Sequence, residues 1–244
     1  MKKIVILGAT STMIQPLLRR MANDGMELLL VARSQERLDS VRSDLLARGA
    51  ANVLTFETDL TSSPDIVYSF AEQCFRDFDT LLLSYGTMLD QDRCQTDAEY
   101  ALGQVRTNFV SSIALLTIFG KHFESRRSGT IAVITSVAGD RGRRSNYVYG
   151  AAKGGLSIFL QGLRSRMHQY GVRVLTIKPG PVATRMTENL PGLRLLASPE
   201  LVAVDIYRAL RHSRTQISYT PSYWKSIMSA VRAIPESVFK RIQI

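Results

Sequence analysis

The stretch KIVILGATSTMIQPLLRRMANDG, from Lys3 to Gly25, predicts a buried strand, a tight turn and a helix that ends at a glycine. Its apolar run is too short for a signal peptide or a membrane span, and two arginines follow soon after it. A turn from a strand into a helix presents free backbone N–H groups, which can hold an anionic group. We therefore expect an anion-binding turn to begin at Gly8.

The rest of the chain alternates short apolar runs with longer amphipathic segments. The further predicted strands are MELLLVAR, NVLTFETDL, DTLLLSYG, GTIAVITSVAG, VRVLTIKPGP and TQISYT. Continuous apolar strands that alternate with helices indicate a parallel sheet buried on both faces. With right-handed crossovers, the pattern predicts an α/β protein with a doubly wound Rossmann fold of about seven parallel strands, flanked by helices on both faces. One long helix is expected from about Asp97 to Phe123, and residues 1–244 are expected to form one domain.

Composition narrows the class of protein. The net charge of +10 suggests an anionic partner, but the chain shows no nucleic-acid-binding motif. Its two cysteines and three scattered histidines have no metal-ligand spacing, and the cysteines suggest no disulfide framework. We expect a cytoplasmic protein that binds neither nucleic acid nor metal.

Ligands of doubly wound folds bind outside the carboxyl ends of the strands, so the residues after each strand matter most. After the second strand comes Arg33, where an acidic residue would hold the ribose of NAD and an arginine can meet the 2′-phosphate of NADP. Asp59 and Leu60 follow the third strand, where they would border an adenine. Gly86 follows the fourth strand and lets the backbone approach a ligand. These positions favour NADP(H), with NAD(H) as the alternative.

The segment SNYVYGAAK, residues 145–153, contains two tyrosines and a lysine. Tyr149 and Lys153 are four residues apart and would share a helix face, whereas Tyr147 and Lys153 would not. A neighbouring ammonium favours the phenolate and lowers the phenol pKa from about 10, so Tyr149 could exchange a proton near neutral pH. Spacing alone leaves open an accidental pair on a helix surface.

Other residues extend this pair into a family pattern. Ser136 lies thirteen residues before Tyr149, Asn108 falls within VRTNFVSS, and PG at residues 179–180 follows the sixth strand. Together they resemble the short-chain dehydrogenase/reductase family over roughly residues 3–184. The resemblance implies a reductase in which Tyr149 is the general acid and Lys153 lowers its pKa and holds the nicotinamide ribose. It also implies that Ser136 binds the substrate carbonyl, that Asn108 anchors a proton-relaying water, and that the protein is a homo-oligomer.

The resemblance further implies a set of cofactor-binding residues near the strand ends. They are Gly8, Thr10, Ser11, Met13, Ile14, Arg33, Ser34, Asp59, Leu60, Gly86, Pro179, Gly180, Val182 and Thr184. The family's phosphate turn usually carries three glycines, and here Thr12 and Ile14 replace the last two. We expect a reshaped turn or weaker cofactor binding. A non-catalytic protein that senses the cofactor is the alternative.

The segment from Ser136 to Arg164 resembles one branch of the family, the reductases of decaprenylphosphoryl-2-keto-pentose, which work with a flavin oxidase to epimerise a lipid-linked sugar. The guanidinium groups of Arg141, Arg143 and Arg144 suit the phosphate of such a substrate, and Tyr147 is expected to line the pocket. An exposed basic loop or ion pairs to another subunit would explain these arginines equally well. The alternative substrate is another carbonyl, such as a 3-oxoacyl thioester.

Two further segments bear on the substrate. Residues 185–197 are expected to close over it. In the tail, residues 222–244, an apolar stripe that includes Trp224 and Met228 runs beside basic residues. Such a helix can lie in a membrane interface, which predicts peripheral contact with the inner face of the membrane. Packing against the parent domain or a second subunit is the alternative.

Overall fold

The computed structural model describes residues 2–188, 195–212 and 214–242. In this part of the chain a parallel sheet of seven strands has the order β3-β2-β1-β4-β5-β6-β7, which confirms the predicted fold class. The strands are β1 (Lys3–Leu7), β2 (Glu27–Ala32), β3 (Asn52–Glu57), β4 (Thr80–Leu83), β5 (Thr130–Ile134), β6 (Arg173–Pro179) and β7 (Ile217–Thr220).

Successive residues of a strand point to opposite sides of the sheet, so both faces carry apolar side chains, and helices cover each face. On β1, Ile4 and Ile6 enter one apolar cluster and Val5 and Leu7 enter the other. The first cluster is completed by α1 (Gln15–Asn23), α2 (Gln35–Ala47) and α8 (Pro199–Arg211), and the second by α3 (Pro64–Cys74), α6 (Ser111–Arg126) and α7 (Tyr147–His168). The shorter helices are α4 (Gln91–Thr96), α5 (Ala98–Val105), α9 (Trp224–Ala233) and α10 (Glu236–Phe239).

The chain reverses its direction of winding between β1 and β4. Strand β1 pairs with β2 on one side and with β4 on the other, so the loops that leave β1 and β4 diverge. This topological switch point opens a crevice at the carboxyl ends of the strands, where ligands of such folds bind.

The long helix predicted for residues 97–123 is not a uniform α-helix. Residues 106–110 form a π-helical turn between α5 and α6, and Asn108 lies at its centre. The π-turn widens the helix by one residue and changes which side chains face the sheet. Such turns are rare and occur often at functional sites. Apolar periodicity could not reveal the turn because α5, the turn and α6 continue in one direction.

The apolar stripe of the tail packs inside the protein. Trp224 and Met228 are buried against Val137, and Ile227 and Val231 are partly buried beside them. This face therefore packs on the parent domain, as the alternative predicted, and contact of the tail with a membrane stays a prediction. Within the described ranges, none of the helices combines the length and apolar character that a bilayer crossing requires.

Candidate active site

A cavity of about 1690 Å³ opens at the carboxyl ends of the central strands. Most of the predicted site residues line it. The predicted cofactor residues along its wall are Gly8, Thr10, Ser11, Met13, Arg33, Asp59, Leu60, Gly86, Pro179, Gly180, Val182 and Thr184. Ser136, Tyr149, Lys153, Arg143, Arg144 and Tyr147 line the same cavity.

The turn after β1 is shaped by Gly8. Its φ of +89° is a left-handed conformation, and a Cβ there would lie 2.7 Å from the backbone nitrogen of Tyr85. The Gly8 N–H donates to the Val31 carbonyl at 2.8 Å, which fixes the turn against β2. A short 3₁₀ segment, Thr12–Ile14, then leads into α1. Its opening N–H groups lack partners within the helix and can hold a phosphate.

Two predicted cofactor residues take other roles. The Ile14 side chain is fully buried in the core, so this replacement for a family glycine fills a gap between helix and sheet and does not contact the cavity. Ser34 caps α2, where its hydroxyl accepts a hydrogen bond from the Arg37 N–H at 3.4 Å. Neither Ile14 nor Ser34 is among the residues that line the cavity, and a part for either in cofactor binding stays a prediction.

A basic corner lies at the end of β2. Arg33 and Arg37 both line the cavity there, close to Asp59. The Thr61 backbone N–H and hydroxyl and the Arg33 charge together lower the pKa of the Asp59 carboxyl. Arg37 was missed by sequence reasoning, although its place in the first turn of α2, three residues after the Ser34 cap, is a usable signal. The two guanidinium groups could hold a 2′-phosphate.

Tyr149 lies in the first turn of α7 and faces Ser136 in the loop after β5. The Ser136 side chain lies close enough to the Tyr149 hydroxyl to lower its pKa, and the Ser136 Oγ accepts a hydrogen bond from the Ala138 N–H at 3.1 Å. Only 9% of the Tyr149 surface is exposed. The phenol and the serine hydroxyl thus point together into the cavity, where both can reach one substrate oxygen.

Burial dominates the proton equilibria of the site. It raises the pKa of Tyr149 to about 12, against the lowering effects of the nearby Ser136 side chain and the Arg143 charge. It lowers the pKa of Lys153 to about 8. The Lys153 Nζ lies 6.0 Å from the centre of the Tyr149 ring. The expected lowering of the Tyr149 pKa by Lys153 is therefore not the main effect in this structure, because desolvation acts on both groups.

Asn108 and Lys153 meet beside the loop after β4. Asn108 is fully buried, and its amide donates to the Thr87 carbonyl at 2.8 Å and accepts from the Thr87 N–H at 3.2 Å. Lys153 Nζ donates to the Ile134 carbonyl at 3.4 Å. The fold thus brings together Asn108, Ser136, Tyr149 and Lys153. A water relay from Asn108 stays a prediction.

Arg141 does not belong to the substrate site. Its guanidinium donates to Glu236 at 2.7 Å and to the Arg232 carbonyl at 3.3 Å, and it stacks 4.3 Å from the centre of the Phe239 ring. The hypothesis that Arg141 binds a substrate phosphate is wrong, because its guanidinium group is already paired with the Glu236 carboxylate in the tail. Arg141 instead ties the loop after β5 to the tail.

The tail contributes a wall that sequence reasoning missed. Trp224, Ile227, Met228 and Val231 line the cavity. Trp224 packs on Gly180 so closely that a Cβ at Gly180 would lie 1.9 Å from the indole Nε1. The helical stripe was visible in the sequence, but its partner was not.

The predicted substrate loop is pinned at its base. Ala183 N–H donates to the Ala197 carbonyl, and Ala197 N–H donates to the Pro181 carbonyl, both at 2.9 Å. Arg185 and Met186 line the cavity. Residues 189–194 lie outside the described part of the chain, so closure over the substrate stays a prediction.

The sequence is similar to those of known oxidoreductases. The family model of the short chain dehydrogenases matches residues 2–192. An uncharacterized oxidoreductase of Mycobacterium tuberculosis is 36% identical over 242 residues, covering 98% of this chain and 96% of that protein. An uncharacterized oxidoreductase of Streptomyces coelicolor is 31% identical over 246 residues, covering 100% and 96%. A ketoacyl reductase of a Nostoc species is 26% identical over 252 residues, covering 97% and 86%.

Two solved structures have the same fold. A short chain dehydrogenase from Burkholderia cenocepacia, in complex with NADP, superposes with a TM-score of 0.83 at 20% identity, covering 98% of this chain and 97% of that one. Levodione reductase superposes with a TM-score of 0.84 at 21% identity, covering 92% and 98%.

Proposed function

This chain belongs to the short-chain dehydrogenase family and is an NAD(P)-dependent oxidoreductase, and we propose that it is a carbonyl reductase with Tyr149 as its proton donor. The observation that carries the proposal is the buried Tyr149, which lines the cavity beside Ser136 and lies one helical turn from Lys153. A phenol in this position can donate a proton to a carbonyl oxygen held by the serine hydroxyl.

The chain has the parts that a nicotinamide dinucleotide needs. The turn from Gly8 to Met13 would hold its pyrophosphate, Asp59 and Leu60 its adenine, and the segment from Pro179 to Thr184 its nicotinamide. When bound, the cofactor supplies the hydride that reduces the carbonyl carbon. Ser136 then orients the carbonyl oxygen, and the Tyr149 O–H bond breaks as its proton moves to that oxygen. Lys153, with its pKa of about 8, can return a proton to Tyr149 near neutral pH.

NADPH is the proposed reductant. Arg33 and Arg37 line the end of the cavity next to Ala32, where the 2′-phosphate of NADP would lie. Paired guanidinium groups bind a phosphate more tightly than they bind a neutral hydroxyl. NADH is the weaker alternative.

The proposed substrate is a 2-keto-pentose linked to a polyprenyl phosphate, which a flavin oxidase would supply. Arg144, exposed near the mouth of the cavity, provides positive charge for a phosphate. The apolar wall of Ile227, Met228 and Val231 offers a surface for a lipid chain. A 3-oxoacyl thioester is the second candidate, favoured by the similarity to the ketoacyl reductase. The homo-oligomer, the cytoplasmic location and peripheral membrane contact stay predictions.

NADPH oxidation tests the proposal. The purified protein is assayed with a polyprenyl-phosphate keto-sugar, a 3-oxoacyl thioester and a neutral cyclic ketone, each with NADPH and with NADH. We expect turnover with NADPH and the highest kcat/KM for the keto-sugar. A higher kcat/KM for the 3-oxoacyl thioester than for the keto-sugar would make the thioester the favoured substrate. No turnover on any carbonyl would remove the reductase assignment.

A further inference from the structure

Arg143 is a charged residue of the active-site cavity that has no role among the four family residues. It lies in the loop between β5 and α7 and lines the cavity together with Tyr149. Its Nε is buried and has no hydrogen-bond partner in the described part of the chain. Arg141, two residues earlier, is held by Glu236 and the Arg232 carbonyl. Arg141 is therefore held by the tail, whereas Arg143 lines the cavity.

The backbone fixes Arg143 relative to Tyr149. The Asn146 N–H donates to the Arg143 carbonyl at 3.1 Å, and the Gly150 N–H donates to the Asn146 carbonyl at 2.8 Å. These two bonds close the turn that leads into α7. Arg143 therefore lies in the turn just before the helix whose first turn carries Tyr149.

Lys153 is oriented toward a different part of the site. Its Nζ donates to the Ile134 carbonyl and lies beside Gly86 and the Asn108 side chain.

We propose that Arg143 supplies the positive charge that stabilises the phenolate form of Tyr149. The role rests on the proposed function, since it assumes that Tyr149 exchanges the proton. Arg143 acts through Tyr149, so it is a positioning residue for the proton and does not need to touch the substrate.

The electrostatics of the pair agree with its geometry. The Arg143 charge lowers the pKa of Tyr149, although burial raises it more. In the same way, burial lowers the pKa of Arg143, and the Tyr149 phenolate opposes that change. Without the Arg143 charge, one of the effects that lower the pKa of Tyr149 is lost, so this pKa should rise.

Other charges lie on the elements that pack against this end of α7. Asp140 follows Ser136 in the same loop, but it is paired with Lys178 and accepts a hydrogen bond from Tyr219 at 2.6 Å. Glu99 on α5 is paired with Arg106 at 3.0 Å. Arg93 on α4 is paired with Asp97 at 3.4 Å. Other charged residues that line the cavity include Lys153, Arg144, Asp90, Asp92 and Arg185.

The test is the pH dependence of Arg143→Gln and Arg143→Lys with a neutral ketone and its alcohol, which removes any effect of substrate charge. Reduction needs the protonated phenol, so kcat/KM falls as pH rises through the Tyr149 pKa. In Arg143→Gln we expect this limb to move to higher pH, because the Arg143 charge lowers the pKa of Tyr149. Alcohol oxidation needs the phenolate and should fall about tenfold at neutral pH. Arg143→Lys, which keeps the charge, should stay closer to wild type.

A second measurement does not depend on turnover. The ultraviolet absorbance of ionised tyrosine is titrated in wild type and Arg143→Gln, each measured against the same protein with Tyr149→Phe. The difference isolates Tyr149, and its titration should move to higher pH when the arginine charge is lost. Arg208→Gln, which removes the same charge from the exposed surface of α8, serves as the control and should leave the titration in place.

Two outcomes overturn the proposal. One is an equal loss of rate at every pH with both titrations unmoved, which assigns Arg143 a structural role. The other is a change confined to the KM of anionic substrates, which assigns it to substrate binding. Full turnover by Tyr149→Phe would instead overturn the proposed function itself, so the two failures are distinct.

Discussion

Gly86 faces Asn108 across the floor of the active site. A Cβ built on Gly86 would lie 2.5 Å from Asn108 Oδ1 and 3.1 Å from Lys153 Nζ. The loop after β4 therefore passes against two members of the catalytic group, and a glycine is needed for it to do so. The Asn108 amide closes this arrangement through its two hydrogen bonds with Thr87.

Gly86→Ala should displace Asn108 and Lys153 without unfolding the protein. We expect turnover to fall about 100-fold, the scale reached when a reacting group is misplaced by about 1 Å. Gly103→Ala is the matched control, because a Cβ there meets no atom within 4 Å. The measurement is kcat with NADPH, together with the circular dichroism spectrum of each variant. Equal activity of the two variants would show that the contact does not matter.

Tyr149→Phe removes the proton donor while it keeps the ring. Loss of a general acid lowers turnover by about 100- to 10,000-fold, so NADPH oxidation should nearly disappear. Cofactor binding, followed by NADPH fluorescence, should persist. Tyr68→Phe, which loses only a surface hydrogen bond to Glu72, is the control. Near-normal turnover by Tyr149→Phe would contradict the assignment.

The cofactor preference should depend on Arg33 and Arg37. Replacement of both by alanine removes charge-assisted hydrogen bonds worth about 1.5–3 kcal/mol each. The KM for NADPH should therefore rise at least about tenfold, while the KM for NADH stays nearly constant. Steady-state kinetics with each cofactor measure both values. A parallel rise for the two cofactors would mean that the arginines do not meet a 2′-phosphate.

The Lys178–Asp140 pair should matter more for stability than the Arg141–Glu236 pair. The side chains of Lys178 and Asp140 are 8% and 3% exposed, whereas Glu236 is 77% exposed. Asp140→Asn leaves a buried ammonium without its partner and should lower the free energy of unfolding by about 3–5 kcal/mol. Glu236→Gln should cost less than about 1 kcal/mol. Urea unfolding compares the two, and similar losses would refute the ranking.

Alkaline pH should destabilise the protein through Tyr149. Its folded pKa of about 12 lies above the value of about 10 for a free phenol, so the unfolded state ionises first as pH rises. The contribution is fully present below pH 10 and is lost by pH 12, a total of about 3 kcal/mol. The melting temperature, measured between pH 9 and 12, should fall less steeply with pH in Tyr149→Phe than in the wild-type protein. Curves of equal slope would mean that Tyr149 ionises freely in the folded protein.

Local patterns in the sequence predicted much of this arrangement. Each strand and its following helix produce a pattern of their own, because burial on both faces demands continuous apolar runs. The parallel order places the strand ends at one edge, and the residues after them line the cavity. The π-turn at Asn108 left no such pattern, since it changes the helix by one residue within an apolar stretch.

Contacts between distant residues could not be predicted in the same way. Arg141 and Glu236 are separated by 95 positions, and nothing near either residue specifies the other. The tail stripe illustrates the same limit, because apolar spacing predicts a buried face but not the surface that covers it. Only the fold shows that Val137 meets Trp224 and that the helix becomes a wall of the site.

By itself, the sequence determined the parallel sheet, the turn at Gly8 and the one-turn spacing of Tyr149 and Lys153, because these depend on neighbours along the chain. The tertiary structure decided which charges act on the phenol. Burial depends on what packs around a group from every direction, and it raises the Tyr149 pKa and lowers the Lys153 pKa. It also decided that Arg141 is held by the tail while Arg143 faces the cavity, since that choice is made by a carboxylate brought in from the far end of the chain.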